Sequence, residues 1–178
     1  MIIKKGIDVS HWQGTIDWNK VAKSGDVDFS IIRVGGGTKK DPMFKKNIEG
    51  ALEQGMHTGV YLYSYAKTEA EAKKEAEFVI KNVKSYMINY PIYYDIEDKA
   101  QANLSTTECT NLVKAFCDEI LSANYIAGMY ANTSWFNTKF QLDQLKKYEK
   151  WIAHWGISSP SYAGAYSLWQ YSNKGKVN

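Results

Sequence analysis

The stretch Pro91-Ile92-Tyr93-Tyr94-Asp95-Ile96-Glu97-Asp98 joins a short apolar run to three acidic residues at its C-terminal end. Its aromatic and β-branched residues, bounded by a proline, predict a strand over Ile92–Glu97. Alternate side chains of a strand share a face, so Asp95 and Glu97 point one way and Tyr94 and Ile96 the other. Two residues of strand place the acidic Cα atoms about 6.5 Å apart. Carboxyls held that close resist simultaneous ionisation, so one keeps its proton near neutrality. A neutral acid beside an ionised partner is the arrangement glycoside cleavage uses. Asp-x-Glu alone is a weak motif, and the plain alternative is a helix cap with surface carboxylates. The following helix has its own cap at Ser105, which argues against that alternative.

Similar runs recur on both sides, at Gly6–Ser10, Phe29–Gly35, Thr58–Tyr65, Ile126–Ala131, Lys150–Trp155 and Ser167–Ser172. Helical patterns separate them at Asp17–Lys23, Asp41–Gln54, Thr68–Val83, Ser105–Ala123 and Gln141–Lys147. Pro42 and Gly55 bracket the second of these, and Thr68/Glu71 and Ser105/Glu108 form capping-box pairs. Strands alternating with helices predict a parallel sheet with crossover helices, an α/β architecture. After the last helix the helical signal fades, leaving loops such as Ser158–Gly164. A full (β/α)8 barrel typically takes about 250 residues, and this chain has 178. The expectation is one domain over residues 1–178, an irregular TIM-like (β/α) barrel with a reduced helical coat in its C-terminal half. Seven strands are predicted.

The bulk composition narrows the function classes. A net charge of +3, with 19 acidic residues among 22 basic ones, gives no nucleic-acid footprint. No stretch approaches transmembrane length, and the N-terminus has no apolar signal core. Neither a nucleic acid nor a membrane is expected as a partner, and synthesis is expected in the cytoplasm without a signal peptide. Cys109 and Cys117 lie eight apart on a predicted helix, about 12 Å, too far for a disulfide. They read as free buried thiols. The aromatic fraction of 14%, from 13 Tyr, 6 Trp and 6 Phe, suits a sugar-binding cleft and equally a Tyr-rich core.

The second signal is Gly6-Ile7-Asp8-Val9-Ser10-His11-Trp12-Gln13-Gly14. Asp8 falls on the face opposite Ile7 and Val9, late in the first strand, and an inward acid there needs a polar cleft or a partner. His11 reads as a loop-anchoring hydrogen bonder in preference to a proton carrier. Gly35-Gly36-Gly37 lacks the Lys-Ser/Thr continuation of a phosphate loop and reads as a flexible rim. His11, His57 and His154 are scattered and the cysteines lack ligand spacing, so neither metal nor cofactor is expected. No Gly-x-Ser-x-Gly nucleophile elbow occurs.

The opening motif, continued by Ile16-Asp17-Trp18, resembles that of the glycoside hydrolase family 25 lysozymes, the Chalaropsis-type muramidases. Phe29-Ser30-Ile31-Ile32-Arg33-Val34, Gly59–Tyr65, Tyr94-Asp95-Ile96-Glu97, Trp151-Ile152-Ala153 and Leu168-Trp169-Gln170-Tyr171 are similar to successive strand motifs of that family, in the same order. The likeness spans nearly the whole chain. Without a signal peptide, a phage endolysin is the type of member it suggests.

The resemblance implies a peptidoglycan hydrolase that cuts the β-1,4 bond between N-acetylmuramic acid and N-acetylglucosamine. It assigns Glu97 as general acid and Asp8 and Asp95 as carboxylates that stabilise the transition state. Asp95 is left either as nucleophile or, the preferred option, as the group that orients the substrate's own acetamide. Tyr63, Tyr130, Trp155 and Gln170 match cleft residues that bind substrate; core packing is the plain alternative for each. The family's closing strand, with a further Asp, should follow Trp169-Gln170-Tyr171, but the chain stops at Asn178, so the final strand is expected to be missing, in a truncated form or the ordered part of a longer protein. A C-terminal wall-binding module in the parent protein is a further implication; no oligomeric state is implied. Two other readings stand beside the enzyme. One is a non-catalytic wall-carbohydrate-binding domain; the other is a chitinase-like glycosidase, whose longer run of alternating acids is not matched.

Overall fold

The computed structural model describes residues 3–177. Its centre is a curled sheet whose strands, in chain order, are β1 (Gly6–Val9), β2 (Phe29–Gly36), β3 (Lys39–Lys40), β4 (His57–Tyr63), β5 (Ile92–Asp95), β6 (Ala127–Asn132), β7 (Glu149–Ala153) and β8 (Leu168–Gln170). The spatial order is β1-β2-β4-β5-β6-β7-β8, every pair parallel, with β3 antiparallel on β2. Five helices lie between strands: α1 (Trp18–Lys23), α2 (Phe44–Glu53), α3 (Glu69–Val83), α4 (Thr106–Ser122) and α5 (Thr133–Thr138). This is the irregular TIM-like barrel that the strand–helix alternation predicts, and no eighth parallel strand is present among the described residues.

Strand parity sorts the side chains into two layers. Ile32, Val34, Val60, Leu62, Ile92, Tyr94, Ile96 and Met129 face outward and share one core with the helices. Phe29, Ile31, Tyr93, Tyr130, Trp151 and Ala153 face inward and fill the barrel, against Tyr61, Tyr90 and Leu168. The barrel floor is therefore aromatic, and Trp151 packs against Tyr61, Tyr93 and Tyr130 with centroids 4.5–5.9 Å apart.

Both capping boxes form as read: the Thr68 and Ser105 side chains accept from the Glu71 and Glu108 N–H groups, and those glutamates reach back to the cap backbones. Other boundaries differ. Asp41-Pro42-Met43 makes a turn, and α2 begins only at Phe44, because the Asp41 carboxylate captures the Met43 N–H. The helix expected over Gln141–Lys147 is a 3-10 turn at Leu142–Leu145. Its Asp/Gln/Lys-rich sequence buries only Leu145, too little apolar face to sustain an α-helix. In its place α5 forms directly after β6, capped by Asn132.

The triple glycine is a hairpin and not a loose rim. Gly35 and Gly36 belong to β2 and pair with Lys40 and Lys39. A Cβ on Gly35 would sit 2.2 Å from the Lys39 carbonyl oxygen, and Gly37 turns the chain at φ +57. Cys109 and Cys117 are free and buried, as their spacing requires. Among the described residues no helix is long and apolar enough to cross a membrane.

Candidate active site

Because the strands run parallel, their C-terminal ends share one mouth. Asp8 stands near the end of β1, Tyr63 ends β4, Asp95 ends β5, Tyr130 lies late in β6, Trp155 follows β7 and Gln170 ends β8. Glu97 lies two residues past β5. Tyr63, Asp95 and Tyr130 are direct register partners across three adjacent strands. The seven residues singled out in the sequence thus sit around one opening.

Gln170 is the hub of one side. Its Oε1 accepts from the Tyr130 hydroxyl and from the Trp155 indole N–H, both at 2.9 Å, and its Nε2 donates to Asp8 Oδ2 at 3.0 Å. Tyr130 is at once barrel core and site: the ring packs on Trp151 and the hydroxyl reaches Gln170. Trp155 is 48% exposed and leaves an indole face on the rim.

On the other side, Tyr63 donates its hydroxyl to Asp98 Oδ2 at 2.9 Å and packs beside Tyr65, with centroids 5.1 Å apart. The guanidinium of Arg33 lies over the Tyr63 ring, 5.6 Å from its centroid. Arg33 shares the inward parity of Phe29 and Ile31 on β2, which brings a cation to a mouth crowded with carboxyls.

Asp95 is buried, and its Oδ1 has no hydrogen-bond partner in the protein. Burial is the largest influence on it and drives its carboxyl well above the usual range; Glu97, Asp8 and Asp98 push the same way, while Arg33 opposes them. Burial also raises Glu97, partly offset by hydrogen bonds from Asn132, whose Nδ2 lies 3.2 Å from Oε2. Asp8 is raised by burial and drawn back by Gln170. Removal from water, more than repulsion within the Asp95–Glu97 pair, keeps protons at this site. All three carboxyls are thus shifted upward, Asp95 the most strongly.

His11 is a loop anchor. Its Nδ1 lies 2.7 Å from Asp41 Oδ2, which also accepts the His11 backbone N–H, so the turn after β1 is tied to the start of the α2 segment. Four residues that sequence reasoning missed belong to the surroundings: Arg33, Asp98, Asn132 and Glu75. Strand parity could have flagged Arg33, and the position of Asn132 at a strand end, ahead of Thr133-Ser134, could have flagged a helix cap. Among the described residues no group of three or more His, Cys, Asp or Glu could hold a metal ion.

The model of glycosyl hydrolases family 25 matches residues 7–178. Lysozyme M1 of Streptomyces globisporus is 32% identical, over 97% of this chain and 63% of its own length. Among solved structures, the bacterial lysozyme from Streptomyces coelicolor superposes with a TM-score of 0.84 at 30% identity, covering 97% of this chain and 85% of that one. The modular autolysin LytC from Streptococcus pneumoniae does so with a TM-score of 0.83 at 31% identity, covering 97% and 43%. The chain spans less than two-thirds of the length of the curated lysozyme it resembles. The matched model, the sequence likeness and the shared architecture agree: the chain belongs to glycosyl hydrolase family 25.

Proposed function

We propose that this chain is a muramidase, hydrolysing the β-1,4 bond between N-acetylmuramic acid and N-acetylglucosamine in peptidoglycan. The observation that carries the reading is the gathering of three carboxyls at one mouth: Asp95, buried at the end of β5, Glu97 two residues beyond it, and Asp8 near the end of β1. The lysozymes of similar sequence and fold support the same substrate.

Glu97 acts as the general acid. Asn132 holds Oε2, leaving Oε1 to carry the proton to the glycosidic oxygen as the C1–O bond breaks. Asp95, with Oδ1 buried and unpartnered, accepts the N–H of the substrate's acetamide and turns the acetamide oxygen towards C1. That oxygen forms the new bond to C1, giving a cyclic oxazolinium ion. Positive charge developing beside Asp95 and Asp8 favours their ionised forms, so their stabilising effect grows towards the transition state. Glu97, now a carboxylate, removes a proton from the water that opens the ring. Trp155 and Tyr63 provide flat faces for the flanking sugars, while Tyr130 and Gln170 hold Asp8 in place.

Acting on such a polymer puts the protein at the bacterial wall, in the setting of an endolysin made in the cytoplasm and released. A wall-binding module elsewhere in the parent protein is consistent with the modular build of the pneumococcal autolysin, of which the chain covers 43%. Release of reducing ends from purified peptidoglycan and from chitin tests the reading. Release from peptidoglycan with little from chitin is expected; a folded chain that binds peptidoglycan without releasing reducing ends is instead a carbohydrate-binding domain.

A further inference from the structure

Behind the cleft lies a buried carboxyl that the chemistry above does not use. Glu75, on the inner face of α3, is 3% exposed. Its Oε2 accepts from the Ser64 hydroxyl at 2.8 Å and the Tyr94 hydroxyl at 2.9 Å, and its Oε1 from the Tyr65 backbone N–H at 2.9 Å. None of the ion pairs among the described residues involves it. A buried carboxyl without a counter-ion is costly, and hydrogen bonds only partly offset the lost hydration. Helix α3 needs no such group to pack, since Ala72, Ala76, Val79 and Val83 already give it an apolar face.

The partners of Glu75 lead to the cleft wall. Ser64 Oγ also accepts from the side-chain amide of Gln101 at 2.9 Å, and that amide donates to the Ala66 carbonyl as well, at 3.0 Å. Gln101 Oε1 in turn accepts the Asp98 N–H at 3.3 Å, and Asp98 accepts the Tyr63 hydroxyl. Tyr65 continues the wall outward: its ring is half exposed, lies beside Tyr63 and covers the glycine hairpin, where a Cβ on Gly36 would meet it at 3.1 Å. One connected set of hydrogen bonds therefore runs from α3 to both loops that form this wall, after β4 and after β5.

We propose that Glu75 is a positioning residue, which through Ser64, Gln101 and the Tyr65 backbone fixes the Tyr63–Tyr65–Asp98 wall against which a glycan sugar rests. This inference rests on the muramidase reading. It makes Glu75 matter more for holding substrate than for bond cleavage, since the side-chain partners of Glu97 and Asp8, Asn132 and Gln170, lie outside this network.

Glu75→Gln keeps the shape and loses the carboxylate; Tyr94→Phe deletes one donor and leaves the barrel core untouched. KM and kcat on soluble peptidoglycan fragments, with melting temperature, are measured for both. KM should rise about tenfold for Glu75→Gln and about threefold for Tyr94→Phe, with kcat within about twofold of wild type. Affinity for the same fragments in a Glu97→Gln background, read by calorimetry, should fall by the same factors. Unchanged KM and affinity in both variants, even with a lowered melting temperature, would reduce Glu75 to a structural role and overturn the proposal. If Glu75→Gln does not fold, Tyr94→Phe decides by the same two measurements. A wild-type chain that binds the fragments but cleaves none defeats the hydrolase reading instead, and the calorimetric arm still decides the role of Glu75.

Discussion

The Gln170 amide donates to the Asp8 carboxylate at 3.0 Å, although β8 and β1 are the two ends of the strand order. That single contact shows how far the sheet has curled, and it joins the open edges at the mouth where the acidic residues gather. Tyr130 and Trp155 hold the same amide from its oxygen side. Gln170 therefore closes the mouth and orients Asp8 at once.

Replacing Gln170 by Glu keeps the size and the acceptors for Tyr130 and Trp155, but sets a second carboxyl against Asp8. The Asp8 carboxyl then rises further, and kcat/KM at neutral pH falls at least tenfold. Steady-state kinetics with a circular-dichroism control measures this. Wild-type kinetics from a folded Gln170→Glu chain would remove Asp8 from the mechanism.

Asn132 does two jobs that one substitution separates. Its Oδ1 caps α5 by accepting the Trp135 N–H, while its Nδ2 donates to Glu97. Asn132→Asp retains the cap, removes the donor and adds charge beside Glu97, whose carboxyl must rise further. The basic limb of the kcat/KM profile should move up by about one pH unit. A limb that stays in place would mean that some other group supplies the proton.

Asp95 makes the fold less stable than it could be. Its native carboxyl sits well above the unfolded value of about 3.9, so no penalty exists below that pH, and stability falls as pH rises through the native value. Asp95→Asn has no such titration. The variant should be more stable at pH 7 by about 1–2 kcal/mol, roughly 2–8 °C in melting temperature for a chain of this size, with the gain vanishing near pH 4. Hydrolysis should drop by about a hundredfold or more. Thermal denaturation at the two pH values checks the sign, and equal melting at pH 7 contradicts it.

Arg33 opposes the upward push on Asp95 and lies over the Tyr63 ring. Arg33→Met should lower kcat/KM by about tenfold, with partial recovery in Arg33→Lys, because Lys restores charge but not the planar contact. Equal activity in all three forms, measured on soluble fragments, would make Arg33 a bystander.

The barrel, Asp8 and Asp95 were legible because they depend on strand parity, whereas the strand expected over Ile92–Glu97 ends at Asp95 and Glu97 follows it. Ile92–Glu97 alternates strictly, and the structure puts Asp95 and Tyr93 inside and Tyr94 and Ile96 outside. The contacts that set the electrostatics were not legible, since they join residues distant in sequence. Gln170 meets Asp8 across 162 positions, and Asn132 meets Glu97 across 35. Glu75 escaped notice for a different reason: a Glu between Ala72 and Ala76 looks like a solvated residue until the loop it anchors is placed. Short elements without periodicity, α5 and β3, were likewise invisible, while the charged run before β7 looked more helical than its one buried residue permits.

The most direct test of the account is reducing-end release from purified peptidoglycan by Glu97→Gln, beside the wild-type chain. The variant should fold, bind the polymer and release no measurable ends, while the wild type releases them steadily. Ends released by the variant at anything near the wild-type rate would show that the proton comes from elsewhere, and the assignment of Glu97 as the acid would be wrong.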